Sequence, residues 1–174
     1  MAGSLVKIDE EIVTSAVASV TLGGSDWDSS YDVYMVRLNN INPTTDGAVF
    51  YARVTESGTP NTTANYDNAS KRLKTNATFD NDSATNATAW NFAQGIDDGT
   101  NVENNGIVYC FNFNNSSEYS FITVEYSSLN ANDILASPAG GGVFTSSSSC
   151  DGIQFLLSTG NITGGTFTLY GLKK

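Results

Sequence analysis

The C-terminal residues 160–174, GNITGGTFTLYGLKK, contain a turn followed by a strand that ends the chain. From Thr166 onwards the residues alternate with a period of two, which is typical of a β-strand. Asn161 and the Gly164-Gly165 pair provide the backbone freedom for a chain reversal just before this strand. A last strand this apolar needs a sheet to pair with, so the stretch predicts an all-β protein.

Strand signals of the same kind recur along the chain, with turn residues between them. They predict strands over residues 12–22, 31–38, 48–55, 107–113, 119–126, 143–145 and 151–158. We expect one hairpin between the strands over 31–38 and 48–55 and another between those over 107–113 and 119–126. About eight or nine short strands without helical periodicity predict an antiparallel β-sandwich, jelly-roll-like in its strand count.

The middle of the chain has a different composition. Residues 56–105 are dense in Asn, Thr, Ser, Asp and Gly, which predicts mostly loop. A structureless loop of that length is unusual in a compact domain, so short strands are expected near 69–75 and 88–92.

The domain organisation is simple. At 174 residues the chain fits one domain, which we place over residues 12–174. Residues 1–11 are expected to form an N-terminal arm or a first edge strand, because the acidic run 9–11 follows the apolar residues Leu5, Val6 and Ile8. These three residues are the candidate docking contacts of the arm.

The charge balance excludes several classes of partner. Eight Lys and Arg residues stand against 18 Asp and Glu residues, a formal net charge of −10. The resulting field repels phosphate backbones and anionic lipid, so neither nucleic acid nor a membrane surface is expected as a partner. The first residues lack the pattern of a signal peptide, and no run is long and apolar enough for a transmembrane helix.

Catalytic constellations are not found in the sequence. The chain has no histidine, which excludes a Ser-His-Asp triad and a histidine metal site. An enzyme would need two facing carboxylates, as in polysaccharide cleavage. The candidate acids mostly flank turns, where carboxylates ordinarily solvate loops; they include Glu10, Glu11, Asp26, Asp28, Glu56, Glu118 and Glu125. The sequence therefore predicts a non-enzymatic protein with no catalytic residue.

Two loops gather oxygen ligands of the kind that calcium prefers. Residues 80–83 (DNDS) and 97–103 (DDGTNVE) are rich in Asp and Asn, but neither has the spacing of a calcium-binding loop. Asx-rich turns explain both stretches more simply. We therefore predict no metal site and no cofactor.

The two cysteines, Cys110 and Cys150, lie far apart in the sequence and in no paired motif. Cys110 belongs to the apolar run 107–111, which favours a buried thiol packed as a small hydrophobe. A cross-strand disulfide with Cys150 is the alternative.

Four aromatic residues occur in loop-like surroundings: Trp27, Tyr66, Trp90 and Phe92. Exposed aromatic rings can stack on sugars, and aromatic side chains are also common in cores and between subunits. We predict surface or inter-subunit contacts for these four rings, with a place in the core as the alternative.

Several stretches together carry a family resemblance. They are residues 31–36 (YDVYMV), 43–48 (PTTDGA), 53–58 (RVTESG), 65–67 (NYD) and the C-terminal turn and strand. With them the chain resembles virion structural and tail-fibre-associated β-sandwich proteins of tailed, especially aquatic, bacteriophages.

The resemblance implies a structural role in the virion. It suggests a surface decoration or accessory component of the head or tail, with other virion proteins (major capsid or tail components) as partners. By analogy with fibres and decoration proteins, the expected assembly is a homotrimer. A receptor- or carbohydrate-binding module that contacts a host surface glycan is the alternative function, and a polysaccharide-cleaving enzyme is a more distant one.

Overall fold

The computed structural model of the chain describes residues 4–99 and 101–172. These residues form thirteen strands and one short 3-10 turn, Gly24–Asp26. The strands are β1 (Leu5–Val13), β2 (Ser19–Gly23), β3 (Val33–Pro43), β4 (Ala48–Glu56), β5 (Thr59–Pro60), β6 (Tyr66–Lys74), β7 (Phe79–Ala87), β8 (Trp90–Ile96), β9 (Asn104–Phe111), β10 (Ser120–Leu129), β11 (Leu135–Phe144), β12 (Gly152–Leu157) and β13 (Ile162–Leu172). Within the described ranges no helix is long and apolar enough to span a membrane.

Two antiparallel sheets contain all of these strands. The larger sheet has eight strands in the order β1-β13-β3-β9-β10-β11-β6-β7. The smaller sheet has five, in the order β2-β12-β4-β5, and β8 pairs the other half of β4 on the same side as β5. The predicted antiparallel β-sandwich is confirmed, and thirteen strands replace the expected eight or nine.

The C-terminal strand occupies an interior position in the larger sheet. β13 pairs with β1 on one side and with β3 on the other. Phe167 and Leu169 are fully buried, as the alternation in the sequence predicts. The register shifts around Gly164. At Gly165 the backbone has a φ of +133°, and a Cβ there would lie 2.6 Å from Ile41 Cδ1, so only glycine fits this bend.

An aromatic core fills the space between the sheets. The ring of Phe50 lies 5.0 Å from that of Phe92 and 5.8 Å from that of Phe155, centroid to centroid. Phe155 continues the contact to Phe167 at 5.6 Å. These rings are buried to 4% exposure or less, and aromatic pairs at such separations add to the free energy gained by burial.

Two predictions about strand connections are wrong. The single strand predicted over 12–22 is two strands, because the chain leaves the larger sheet after β1 and enters the smaller sheet at β2. The expected hairpin between residues 31–38 and 48–55 does not form, since β3 and β4 belong to different sheets. Both segments are extended, and extended backbone does not reveal which sheet a strand joins.

The middle of the chain contains more strand than expected. Residues predicted as loop form β7, and longer strands replace the two short ones, as β6 and β8. Every residue of β7 is exposed or half-buried, because it is an edge strand paired only with β6. Its polar sequence therefore shows no apolar alternation. β11 likewise extends over the glycine-rich residues 140–142, which the sequence assigns to a turn region.

Candidate protein-contact surface

The side chains of the larger sheet point alternately towards the core and away from it. Along β10 the even-numbered residues 120–128 are buried, whereas Phe121, Thr123, Glu125 and Ser127 are exposed. Directly paired residues on neighbouring antiparallel strands lie on the same side of a sheet. The strand register therefore identifies every side chain on the side of Phe121, which we call the outer face.

An apolar row crosses the outer face over four neighbouring strands. Val33 of β3 pairs with Phe111 of β9, Phe111 with Phe121 of β10, and Phe121 with Val143 of β11. Phe121 is 44% exposed, and the other three side chains are half-buried. Cβ atoms of such cross-strand pairs are roughly 4.5–5.5 Å apart, so the four side chains form one continuous strip. We call these four residues the outer row.

Further apolar and aromatic side chains flank the outer row. Met35 pairs with Tyr109 on one side and Tyr170 on the other, one step along the strands from Val33. Leu5 of β1 pairs with Leu172 of β13 and is 52% exposed. The apolar part of the outer face thus reaches from β1 to β11.

A groove of about 490 Å³ opens beside Phe121. Small residues, two members of the outer row and polar groups of β6 and β7 line it: Asp67, Asn68, Ala69, Ser83, Ala84, Thr85, Phe121, Ile122, Gly141, Gly142 and Val143. The small residues leave room that larger side chains would fill. A ridge formed by Phe121 and a depression therefore lie side by side on the outer face.

Trp90 supports the groove from the core side. A Cβ at Gly142 would lie 2.5 Å from Cδ1 of the Trp90 ring, so glycine allows the indole to pack directly beneath β11. The indole Nε1 donates a hydrogen bond to the Val143 carbonyl at 3.1 Å. The position of the outer row is thereby fixed to the buried core.

A second groove, of about 420 Å³, lies on the same face near the other end of β10. Its lining includes Arg37, Ile107, Glu125 and Ser127. Glu125 is the one carboxylate among the described residues that line it, and cleavage of a glycosidic bond by carboxylates needs two.

The charges of the outer face are balanced. The strand register places the cations Lys7, Arg37 and Lys71 on this face, together with the carboxylates Glu10, Asp67 and Glu125. Lys7 Nζ lies 3.0 Å from Glu10 Oε1, and this hydrogen bond, followed by one from Thr168, lowers the pKa of Glu10. The described residues of the outer face thus sum to a charge close to zero in a chain whose net charge is −10.

The apolar residues predicted as a docking arm are part of the larger sheet. Leu5, Val6 and Ile8 lie in β1, which forms the edge of the sheet and pairs with β13. Leu5 is exposed, Val6 is half-buried, and Ile8 packs against the core. Asp9 accepts a hydrogen bond from the Gly23 N–H at 3.0 Å and so ties β1 to β2. Residues 1–3 of the expected arm lie outside the described residues.

The structure corrects the assignment of the four loop-context aromatics to surface contacts. Trp27, Tyr66, Trp90 and Phe92 are each 4% exposed or less and belong to the core. Trp27 stacks on Tyr34 at 4.1 Å between ring centroids. Phe92 meets the core ring of Phe50, as described above. The polar residues that flank these rings in sequence made them resemble loop residues, but the rings themselves point inward.

Tyr66 shows how completely the structure encloses one of these rings. It lies edge-on to Trp90, with 5.1 Å between the centroids. Its hydroxyl donates a hydrogen bond to the Asn61 carbonyl at 2.7 Å and accepts one from the Val54 N–H at 3.2 Å. Burial raises the pKa of Tyr66. Neither Tyr66 nor Trp90 presents a ring face on which a sugar could stack.

The two predicted oxygen-rich loops have different environments. Residues 80–83 belong to β7, where Asp80 forms ion pairs with Lys74 and Arg72. Near residue 97, carboxylate oxygens of Asp46, Asp97 and Asp98 lie within 4.8 Å of one another. Asp97 is buried and accepts a hydrogen bond from the Gly99 N–H at 2.8 Å, which is the Asx turn expected from the sequence.

Both cysteines are buried free thiols, as the apolar surroundings of Cys110 predict. The Cys150 thiol lies 3.7 Å from the Ser120 hydroxyl. Burial raises the pKa of Cys150 to about 11 and also raises that of Cys110. Thiols that remain protonated and buried have a packing role.

Comparison with protein-family models, with curated proteins and with solved structures finds no match for this chain.

Proposed function

We propose that this protein is a non-enzymatic structural component of a bacteriophage virion, a surface decoration or accessory protein of the head or tail that acts through protein-protein contacts. The outer row of Val33, Phe111, Phe121 and Val143 is the observation that carries the proposal. The phage assignment comes from the resemblance of the sequence, and the contact role comes from this surface.

The outer row is unusual for a sheet that faces solvent. A sheet covered on one side normally alternates apolar residues inward with polar residues outward. Here four adjacent strands carry apolar residues on both sides, and the row continues into an apolar groove. Contiguous exposed apolar surface of this kind typically marks a contact site.

The β1 edge extends the proposed contact surface. Leu5 is half exposed next to Leu172, in line with the apolar part of the outer face. We therefore keep Leu5 as a docking contact to other virion proteins, and Val6 and Ile8 as the residues that hold β1 in the sheet. Neutrality of the outer face supports contact with proteins and offers no attraction to nucleic acid.

One observation favours a glycan as the alternative ligand. The groove combines an exposed aromatic ring, Phe121, with the polar side chains of Asp67, Ser83 and Thr85. Aromatic rings beside hydrogen-bonding groups suit sugar recognition. Glycan binding that is lost in Phe121→Ala, without any presence of the protein in particles, would favour this alternative.

The direct test locates the protein in particles of the phage that encodes it. Mass spectrometry of purified virions should detect the chain, and cryo-electron microscopy should show the outer face against a neighbouring subunit. Phe121→Glu should reduce incorporation, whereas Phe79→Glu should not, because Phe79 is 62% exposed at a distant corner of the same sheet. Absence of the chain from virions would refute the proposal.

A further inference from the structure

We propose that two copies of this chain pair through their outer faces about a two-fold axis, with Phe121 of each copy in the 490 Å³ groove of the other. The inference deepens the proposed function, because it uses the same surface and names a second copy as its partner.

Shape complementarity is the first argument. Phe121 projects from β10 and is 44% exposed, and the groove lies directly beside it. Ala69, Ala84 and Gly141 line the groove, and none of them places a large side chain in it. The volume falls within the roughly 300–1,000 Å³ of typical binding pockets, so a phenyl ring fits easily.

Symmetry follows from the position of these two features. A two-fold contact uses the same patch on both subunits, so each patch must carry a projection and a recess that match each other. Phe121 and the groove share one patch of the outer face. When two copies face each other, the Phe121 ring of each copy enters the groove of the other, and the two contacts form at the same time. A head-to-tail ring would instead need the projection and the recess on different sides of the molecule.

The charge distribution favours the outer face over the rest of the surface for contact between two copies of the chain. Two copies with a net charge of −10 each repel one another over most of their surfaces. Among the described residues of the outer face the three cations match the three carboxylates in number, and the two signs are interspersed. Asp67 and Lys71, for example, occupy β6 on either side of Ala69. A facing copy can pair these groups, which removes the repulsion at the interface.

The area of the face is sufficient for a stable pair. Eight strands at roughly 4.8 Å spacing form a surface about 34 Å wide. Strands of about ten residues give a length of about 30 Å, so the face covers on the order of 1,000 Å². A standard interface buries about 800 Å² on each partner. The outer face therefore meets this size without contributions from loops.

The test is sedimentation velocity of the purified full chain over a concentration series. The unaltered chain should sediment with twice its 18.5 kDa mass at high concentration. Phe121→Glu and Ala69→Arg should each weaken the pairing by roughly a hundredfold or more, because each places an unpaired charge at the centre of the interface. Both side chains are exposed, so thermal unfolding of each variant should match that of the unaltered chain.

A mixture of the two variants gives a sharper result. In a pair made of one Phe121→Glu chain and one Ala69→Arg chain, the new acid of one copy meets the new base of the other. The second contact keeps the original Phe121 and Ala69. Equimolar mixing should therefore restore the double mass that neither variant shows alone. Thr21→Glu is the matched control and should remain paired, since Thr21 is exposed on β2 of the smaller sheet, on the opposite side of the sandwich from the outer face.

The outcomes separate this inference from the proposed function. A single-chain mass at every concentration, a mass of three chains, or pairing unaffected by Phe121→Glu would each overturn the two-fold pair. A monomeric chain that is still found in virions would leave the structural function standing. A pair in solution that is absent from virions would refute the function and keep the pair.

Discussion

Replacement of Tyr66 by phenylalanine tests whether this ring belongs to the core or to the surface. Tyr66→Phe keeps the ring and its contact with Trp90 but removes the hydroxyl that bonds Val54 N–H and the Asn61 carbonyl. Asn61 is partly exposed and can accept from water, whereas Val54 is fully buried and its N–H loses its partner. An unpaired buried group costs about 1–3 kcal/mol, so we expect the free energy of unfolding to fall by that amount.

The measurement is urea unfolding followed by intrinsic fluorescence, with thermal unfolding as a second readout. For a domain of this size about 1–3 kcal/mol corresponds to a decrease of about 2–12 °C in Tm. Tyr119→Phe is the matched control, because Tyr119 is 45% exposed and surface changes stay within about 0.5 kcal/mol. Equal stabilities of the two variants would show that the Tyr66 hydroxyl is solvated, and would refute its place in the core.

Two further predictions concern titratable groups. Cys110 and Cys150 should resist alkylation in the folded protein at pH 8 and react fully in urea, because burial raises the pKa of both thiols; fast native labelling would contradict this. A hydrogen bond from Lys74 lowers the pKa of Asp80, so its stabilising effect should be complete above pH ~4 and fade as pH falls further. Asp80→Asn should reduce this acid dependence measured by urea unfolding, whereas the surface control Asp133→Asn should retain it.

The strands that could be predicted from sequence have one side in the core. Residues 48–55, 119–126 and 151–158 alternate because the sandwich buries every second side chain, and each forms a strand at nearly the expected position. β7 could not be predicted in this way. Its stability comes from backbone pairing with β6 and from polar contacts such as the Arg72–Asp80 ion pair, which leave no apolar period in the sequence.

The aromatic residues illustrate a different limit of prediction from sequence, which concerns the direction of side chains. Trp27 is surrounded in sequence by turn-forming and polar residues, so local chemistry predicts a loop there. Trp27 does follow the 3-10 turn directly, yet its ring stacks between Tyr34 and Phe113 in the core. Backbone conformation follows local sequence, whereas the direction of a large side chain follows the nearest unfilled core volume.

The sequence contains a pattern that indicates the candidate contact surface, but the pattern is ambiguous. Residues 31–38 and 107–113 are apolar at both odd and even positions, which indicates a strand with two apolar sides. The even-numbered side of β9 contains Val108 and Cys110 and meets the core, and the odd-numbered side contains Tyr109 and Phe111. Whether a second layer covers that other side depends on the number of layers in the fold. Local periodicity carries no information about this.

The edges of the larger sheet bear on how the outer face can assemble. Unpaired strand edges invite open-ended association, and charges and bulges suppress it. β1 carries Asp9, Glu10 and Glu11 and shifts register between Lys7 and Asp9. At the opposite edge, β7 carries Asp80 and Asp82 and also shifts register against β6. Both edges are thus protected against strand addition, while the outer face remains apolar and nearly neutral. For the function and the two-fold pair that we propose, these features favour contact through the outer face, which would give closed pairs or attachment to a particle surface and would not propagate into fibres.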